Sequence, residues 1–328
     1  KRKIINKYSL QYLLLLLKIV FVNLITIKKI RNINNYDSII HLIIKGNRTQ
    51  NLLYKDFYTN PSEVLVNGIK NDSCIKTCNL EGNINNVTLI FKNKIYSCQY
   101  MFYELNNIIE IDLSNFDFSE VNSMCCMFYK CSQLEKINFG NINTSSVNDM
   151  QYLFYYCSKI NLIDLSNFDT SQVSTMRDMF RGCSNLKYLD LSNFDTSNLY
   201  QSISYMFNGC SSLIYLNLIS FKIGNILNKN YVFDGNSLTT KYCTNDGTIK
   251  NLLQSYNKFS NCSDICFQKN IKIDLINNKC VFPCEDNNYK YIYNDICYDE
   301  CPKDTYAIFC DENECNKNRS ECYDKDKI

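Results

Sequence analysis

A pair of residues, Met-Phe or Leu-Phe, returns five times in this sequence at an almost constant interval. The copies are Met101-Phe102, Met127-Phe128, Leu153-Phe154, Met179-Phe180 and Met206-Phe207, evenly spaced except for a slightly longer last step. Three residues after each Phe stands Leu105, Cys131, Cys157, Cys183 or Cys210. The segments IDLSNF (111–116), INFGNI (137–142), IDLSNF (163–168), LDLSNF (189–194) and LNLISF (216–221) keep the same phase. A unit this short cannot bury an apolar face alone, so the units must stack, each repeated position becoming a ladder through a shared core.

Each unit divides into two parts. Val173, Met176, Met179, Phe180 and Cys183 fall at offsets 0, 3, 6, 7 and 10, which predicts one face of a helix. Asp169, Thr170 and Ser171 precede it and can cap its free amides. Leu186, Leu189 and Leu191 then alternate with Lys187, Tyr188 and Asp190, which predicts a short strand. Phe116, Ile142, Phe168, Phe194 and Phe221 make one expected ladder. Asn115, Asn141, Asn167 and Asn193, with Ser220 last, make another that can satisfy backbone groups at the turn. A helical piece plus a strand in every unit is the leucine-rich-repeat layout. The fold expected is therefore α/β, a right-handed leucine-rich-repeat solenoid with a β-rich N-terminal cap and a small disulfide-rich C-terminal region.

The stretch MFRGCSNLKYLDLSNFDTS closely resembles the 26-residue surface repeat of BspA-like leucine-rich-repeat proteins, and the resemblance covers about residues 99–223. It implies a surface-exposed protein associated with adhesion to host or matrix proteins. It brings no universal ligand and no catalytic residue. The second unit departs most, with Phe139, Gly140 and Ile142 where the others have Leu, Ser and Phe.

Four regions follow. Residues 1–30 start with Lys1, Arg2, Lys3 and Lys7 and continue into YLLLLLKIVFV (12–22), the length of a signal-peptide core; a signal peptide or an uncleaved signal anchor is expected. Residues 31–98 form the N-terminal cap, with strands expected at 39–46, 62–68 and 86–93 and Cys74, Cys78 and Cys98 available to staple it. Residues 99–240 are the repeat domain. Residues 241–328 are cysteine-rich: ten of the 19 cysteines lie at or beyond Cys243. With little apolar content between them, disulfides must replace a core there. Cys262, Cys266, Cys280, Cys284, Cys297, Cys301, Cys310, Cys315 and Cys322 are the candidates; their pairing is not readable from spacing. The run resembles small extracellular cysteine-rich modules of growth-factor receptors. CxxxC spacing with no His nearby argues against zinc. Cys157 and Cys183, facing the repeat core, are expected to stay reduced.

Charge and motifs narrow the function. The net charge is +2, but residues 1–30 hold seven basic residues and no acid, leaving the remainder at −5. Such a body is a poor phosphate-backbone binder, so nucleic acid is not an expected partner. Asn47, Asn71, Asn86, Asn143, Asn261 and Asn318 match the N-glycosylation acceptor pattern. There is one His, His41, and no GxSxG, HExxH or phosphate loop, so catalysis, a cofactor and a metal are not expected. The expected function is that of a secreted or cell-surface protein binding an extracellular protein or glycan. The alternatives are a receptor ectodomain, attached by the N-terminal segment or by sequence beyond Ile328, and a passive structural protein of the cell surface. The expected binding face is the outward side of the strands: Glu110, Lys136, Leu162, Tyr188 and Tyr215, beside Asp112, Asn138, Asp164, Asp190 and Asn217.

Overall fold

A computed structural model describes residues 38–256 and, beyond them, the backbone of six short strands between 272 and 324. Its organising strand is β1 (Ser38–Lys45), in which Ile40, Leu42 and Ile44 are buried while His41 faces outward. β1 pairs antiparallel with both β6 (Ile84–Phe91) and β7 (Ile108–Asn115). With β3 (Glu63–Val66), β4 (Ile69–Lys70) and β8 (Lys136–Asn138) they form a six-stranded sheet in the order β4-β3-β6-β1-β7-β8. β7 belongs to the first repeat unit and β8 to the second, and these two run parallel, Ile111 opposite Ile137. The N-terminal strands thus cover the edge that β7 would otherwise expose. β2 (Arg48–Asn51) and β5 (Thr77–Leu80) form a separate antiparallel pair, and a Cys74–Cys78 disulfide ends at β5.

A second, all-parallel sheet contains β9 (Tyr188–Asp190), β10 (Tyr215–Asn217) and β11 (Lys241–Cys243) in the order β11-β10-β9. Between the two sheets the third unit contributes a single bridge, Leu162 to Tyr188. The break follows the rung at which Phe139 replaces Leu and packs edge-on against Phe128, Phe154 and Phe168.

The expected α/β leucine-rich-repeat solenoid is not what forms. The described residues are strands and turns in open, mixed sheets, and their one helix, α1 (Gly247–Ser255), lies outside the five recognised units. The segments read as helical fail for a backbone reason. Tyr100, Cys126, Tyr152, Asp178, Tyr205 and Tyr231 all have φ between 56° and 61°. Glu104, Lys130 and Tyr156, four positions further on, have φ between 54° and 58°, and at the same place in later units Gly182, Gly209 and Gly235 have φ of 73° or 74°. Two left-handed residues per unit forbid a right-handed helix. Successive amides instead alternate between two partners. Phe128 N bonds Leu153 O in the next unit at 3.0 Å, Tyr129 N bonds Cys126 O within its own turn at 3.2 Å, and Lys130 N bonds Tyr155 O. The apolar offsets were real, but they mark the inward positions of this turn series. Asp169 accepts from Ser171 N at 2.9 Å and so caps a turn, while Thr170 Oγ1 donates to Asp195 O of the next unit at 2.9 Å.

Two buried columns, of Phe and of Thr, and an exposed column of Asn hold the units together. Phe102, Phe128, Phe154, Phe180, Phe207 and Phe233 stack with ring centroids 5.7, 5.5, 5.5, 5.8 and 5.9 Å apart and planes within 16° of parallel. Thr144, Thr170 and Thr196 each donate a hydroxyl to a carbonyl one unit on. Asn167 and Asn193 bond carbonyls of the preceding unit, Asn193 reaching both Leu165 O and Phe168 O. Phe233 and β11 extend the series to a sixth rung, one repeat beyond Phe207. There Asn236 replaces the column cysteine and bonds Cys210 N. α1 closes this end: Asp246 caps it by accepting from Ile249 N at 2.9 Å, and Ile249 and Leu253 are buried beneath it.

The side chains of Cys262, Cys266, Cys280, Cys284, Cys297, Cys301, Cys310, Cys315 and Cys322, and residues 1–37, lie outside the described part. Phe180 sits mid-column with neighbours on both sides, so Phe180→Ala should cost about 3–5 kcal/mol. Urea unfolding should show this as a lowered midpoint; an unchanged midpoint would mean the column does not carry the stack.

Candidate functional site

The strand face brings the expected residues together, and the structure shows what they are engaged with. Glu110 lies opposite Lys136 in register, with Lys136 Nζ 3.3 Å from Glu110 Oε1. Tyr188 and Tyr215 are register partners; Tyr188 is exposed and Tyr215 half-buried. The neighbouring column turns back on its own chain. Asp112, Asn138, Asp164, Asp190 and Asn217 each accept from the amide two positions on, at 2.9, 3.1, 2.9, 2.9 and 3.1 Å. These side chains fix the turn that leaves each strand, the regular use of Asp and Asn in such turns. His41 donates to or accepts from Thr88 Oγ1 at 2.9 Å, and burial pulls its pKa below the ordinary value against the opposing charge of Asp112.

A second edge of the stack presents a row that sequence reading missed. It consists of residues that directly follow the repeated Phe, joined by tyrosines at the left-handed positions two residues before it. Tyr103, Tyr129 and Tyr155 stack face to face at 4.6 and 4.5 Å with planes 5° apart. In the fourth unit Arg181 takes this position, with its guanidinium 5.7 Å from the Tyr155 ring and 4.5 Å from the Tyr205 ring. Tyr205 then stacks on Tyr231 at 4.9 Å. At the other end Tyr54 packs against Tyr100 and Tyr103. All of these rings are half-buried or exposed, so one side of each faces solvent. The signal was present in the sequence: the position after Phe reads Tyr, Tyr, Tyr, Arg, Asn.

Asp178 anchors the middle of this row. It is buried, and its two carboxylate oxygens each receive a guanidinium at 3.0 Å, Arg177 on Oδ2 and Arg181 on Oδ1. Arg177 in turn lies 5.8 Å from the Tyr152 ring. One buried charge therefore holds two arginines against the aromatic row, and bound this way the guanidiniums lose little freedom on meeting a partner.

The core thiols are of another kind. Cys131, Cys157, Cys183 and Cys210 are buried, and each donates to the carbonyl of a Phe in the preceding unit, at 2.9, 3.0, 3.1 and 3.2 Å. Burial pushes Cys131 and Cys210 up to about 12 and Cys157 and Cys183 well above the ordinary thiol range. These are inert thiols acting as small apolar groups with one weak donor. Among the described residues no group of three or more His, Cys, Asp or Glu is placed to hold a metal ion. No helix there is long and apolar enough to cross a membrane.

Fold and surface together define a class: a mostly β protein built from stacked sequence repeats, with an aromatic edge. The chain belongs to the family described as "Mycoplasma protein of unknown function, DUF285", whose model matches residues 75–163, 96–220 and 154–272. Those overlapping matches span more than half of the chain and run from the N-terminal strands through the sixth rung and α1. No curated protein and no solved structure matches it.

The column cysteines make stability depend on pH. Their folded pKa values are raised, so the stability held in the neutral thiols is complete below the unfolded value, about 8.5, and is lost as pH rises towards the folded values. The loss should be about 1.4 kcal/mol per thiol per pH unit above that point. Urea midpoints should therefore fall steeply between about pH 8.5 and 10, and Cys131→Ala/Cys210→Ala should flatten the fall. A pH-independent midpoint across that range would contradict the burial of these thiols.

Proposed function

We propose that this chain is an extracellular, cell-surface protein that binds a partner protein through its tyrosine–arginine edge and catalyses nothing. The observation that carries the reading is the row Tyr103, Tyr129, Tyr155, Arg181, Tyr205, half-exposed along successive units. The Phe, Thr and Cys columns already hold the stack from inside, so nothing in the core needs aromatic groups at these outward positions. Tyr and Arg are the residues that most often carry interface energy, because they offer large contact area at a small entropic cost. The resemblance of the repeat to BspA-like surface repeats supports a role in adhesion. The basic and apolar residues 1–30 and the cysteine content beyond Cys243 support export.

The test begins with the full chain titrated over immobilised extracellular-matrix proteins and, in parallel, over a glycan array. Binding to a matrix protein is expected. Tyr129→Ala/Tyr155→Ala should weaken it at least about tenfold, since losing one such anchor costs roughly 2 kcal/mol. The melting temperature should fall modestly, because the lost stacked pairs contribute about 0.5–1.5 kcal/mol each while the Phe column stays intact. Tyr188→Ala/Tyr215→Ala on the strand face serves as the comparison. If that pair abolishes binding and the edge pair does not, the strand face is the binding surface. Binding to glycans alone would overturn the choice of a protein partner.

A further inference from the structure

Cys125 and Cys126 differ from every other thiol described in the repeat. Their sulfurs lie 3.4 Å apart, and their counterparts in other units are Gln99, Gln151 and Arg177 for the first, and Tyr100, Tyr152 and the buried Asp178 for the second. The pair thus occupies the aromatic edge, in the gap between Tyr100 and Tyr152, whereas Cys131, Cys157, Cys183 and Cys210 line the core. It keeps some solvent contact, 8% and 7% exposed, against 0–1% for the core four. Its backbone is held from both sides. Tyr100 N bonds Cys125 O at 3.1 Å, Cys126 N bonds Gln151 O at 3.0 Å, and Tyr129 N bonds Cys126 O at 3.2 Å. Cys126 is locked at φ 57°, which keeps both side chains on one side of the rung.

We propose that Cys125 and Cys126 are a redox-active vicinal dithiol that is oxidised to a disulfide between neighbouring residues by exchange with a small-molecule disulfide such as oxidised glutathione. The contact lowers the pKa of one thiol of the pair at the expense of the other, and either sulfur can be the donor across it. Asp149 opposes ionisation of both, while Gln99 favours it at Cys125 and Tyr100 favours it at Cys126. The thiol that ionises is the attacking thiolate and its neighbour the resolving thiol, with Cys125 attacking in the steps that follow.

In the first step the Cys125 thiolate bonds to one sulfur of the oxidant, whose S–S bond breaks, and the departing thiolate takes up a proton. In the second, Cys126 gives its proton to solvent and its sulfur bonds to Cys125 Sγ. That breaks the mixed disulfide and releases the second thiolate, which is protonated. Two protein thiols and one small disulfide become one protein disulfide and two small thiols, with two electrons transferred to the oxidant. Neighbouring Cα atoms stand about 3.8 Å apart, below the usual disulfide range of about 4.4–6.8 Å. The bond is consequently strained and readily reduced, which suits a reversible modification rather than a staple. Cys126 O holds the amide of Tyr129, so the change reaches the aromatic edge directly.

The experiment exposes the folded full chain to oxidised glutathione, quenches with acid, alkylates, and cleaves with trypsin and a Glu-specific protease. The fragment Val121–Lys130 contains Cys125 and Cys126 and no other cysteine. It should be lighter by two hydrogens and carry no alkyl group, and excess reduced glutathione should restore both thiols before Cys74–Cys78 opens. Cys126→Ser should leave glutathione attached to Cys125, and Cys125→Ser should leave it attached to Cys126, because the resolving thiol is gone in each. The same treatment in concentrated urea should not join the pair. Two alkylated cysteines after native oxidation, a cross-link to another fragment, no adduct in Cys126→Ser, or equal closure in urea would each overturn the proposal.

Discussion

Everything in this structure depends on where the backbone amides of the repeat send their hydrogen bonds. Two left-handed positions per unit prevent helix formation and turn alternate amides toward the next unit. A segment bonded this way has no independent stability. Every second donor must find its carbonyl on the neighbouring rung, so the unit exists only as part of a stack. The left-handed conformation is costly for Tyr, Cys or Lys, on the order of a kcal/mol each, and persists only where the surroundings over-determine it. Here the surroundings are the Phe column inside and the next rung beside it. In the fourth and later units the second left-handed position is Gly182, Gly209 or Gly235, which removes that cost. At Gly182 the glycine is also a matter of space, because an added Cβ would lie 2.8 Å from the Tyr156 ring.

The same geometry explains why the molecule has two distinct surfaces. Along the strands, the Asp and Asn column is occupied in closing turns and Lys136 pairs with Glu110, while Lys94–Glu120 and Lys130–Glu104 join neighbouring rungs elsewhere in the first units. Exposed pairs of this kind contribute little to stability, but they leave few charges uncommitted. Along the turn edge, the tyrosines at the left-handed positions and the residues that follow each Phe lie in rows about one rung apart. Aromatic rings at that spacing stack on each other and present a continuous strip. Asp178 adds a fixed pair of guanidiniums to it. The aromatic strip is thus a by-product of the turns formed where the sequence pattern suggested a helix.

The ends are managed differently. At the N-terminal side β1 pairs antiparallel with β7 and covers the first rung, as β6 in turn covers β1 and β3 covers β6. At the other end α1 places Ile249 and Leu253 over the sixth rung, and Tyr256 meets Phe233 edge-on. Stacked repeats need such covers because a terminal unit has a core face with no neighbour. The two solutions are unlike in secondary structure and alike in effect: both remove apolar side chains from water.

The sequence alone determined the repeat length, the units that stack, and the residues that face inward. Those follow from apolar periodicity, which is a property of neighbouring residues. Phe194, Leu189 and Cys183 are inside as the pattern requires. The sequence also marked the Asn ladder as serving the turn, whereas Asp112, Asp164 and Asp190, read as part of a binding face, are what close the turns. What it did not determine was the backbone path between them. The offsets of Val173, Met176, Met179 and Phe180 fit one helix face, and they fit equally well the inward points of a turn series. Local propensity cannot separate the two, because only the adjacent units decide whether an amide bonds back within its own turn or across to the next rung. For the same reason the tyrosine edge, Arg181 between two rings, and the approach of Cys125 to Cys126 became visible only in three dimensions. Each depends on residues brought together by stacking or by a left-handed turn, and a contact of that kind is set by the backbone path rather than by the order of residues along the chain.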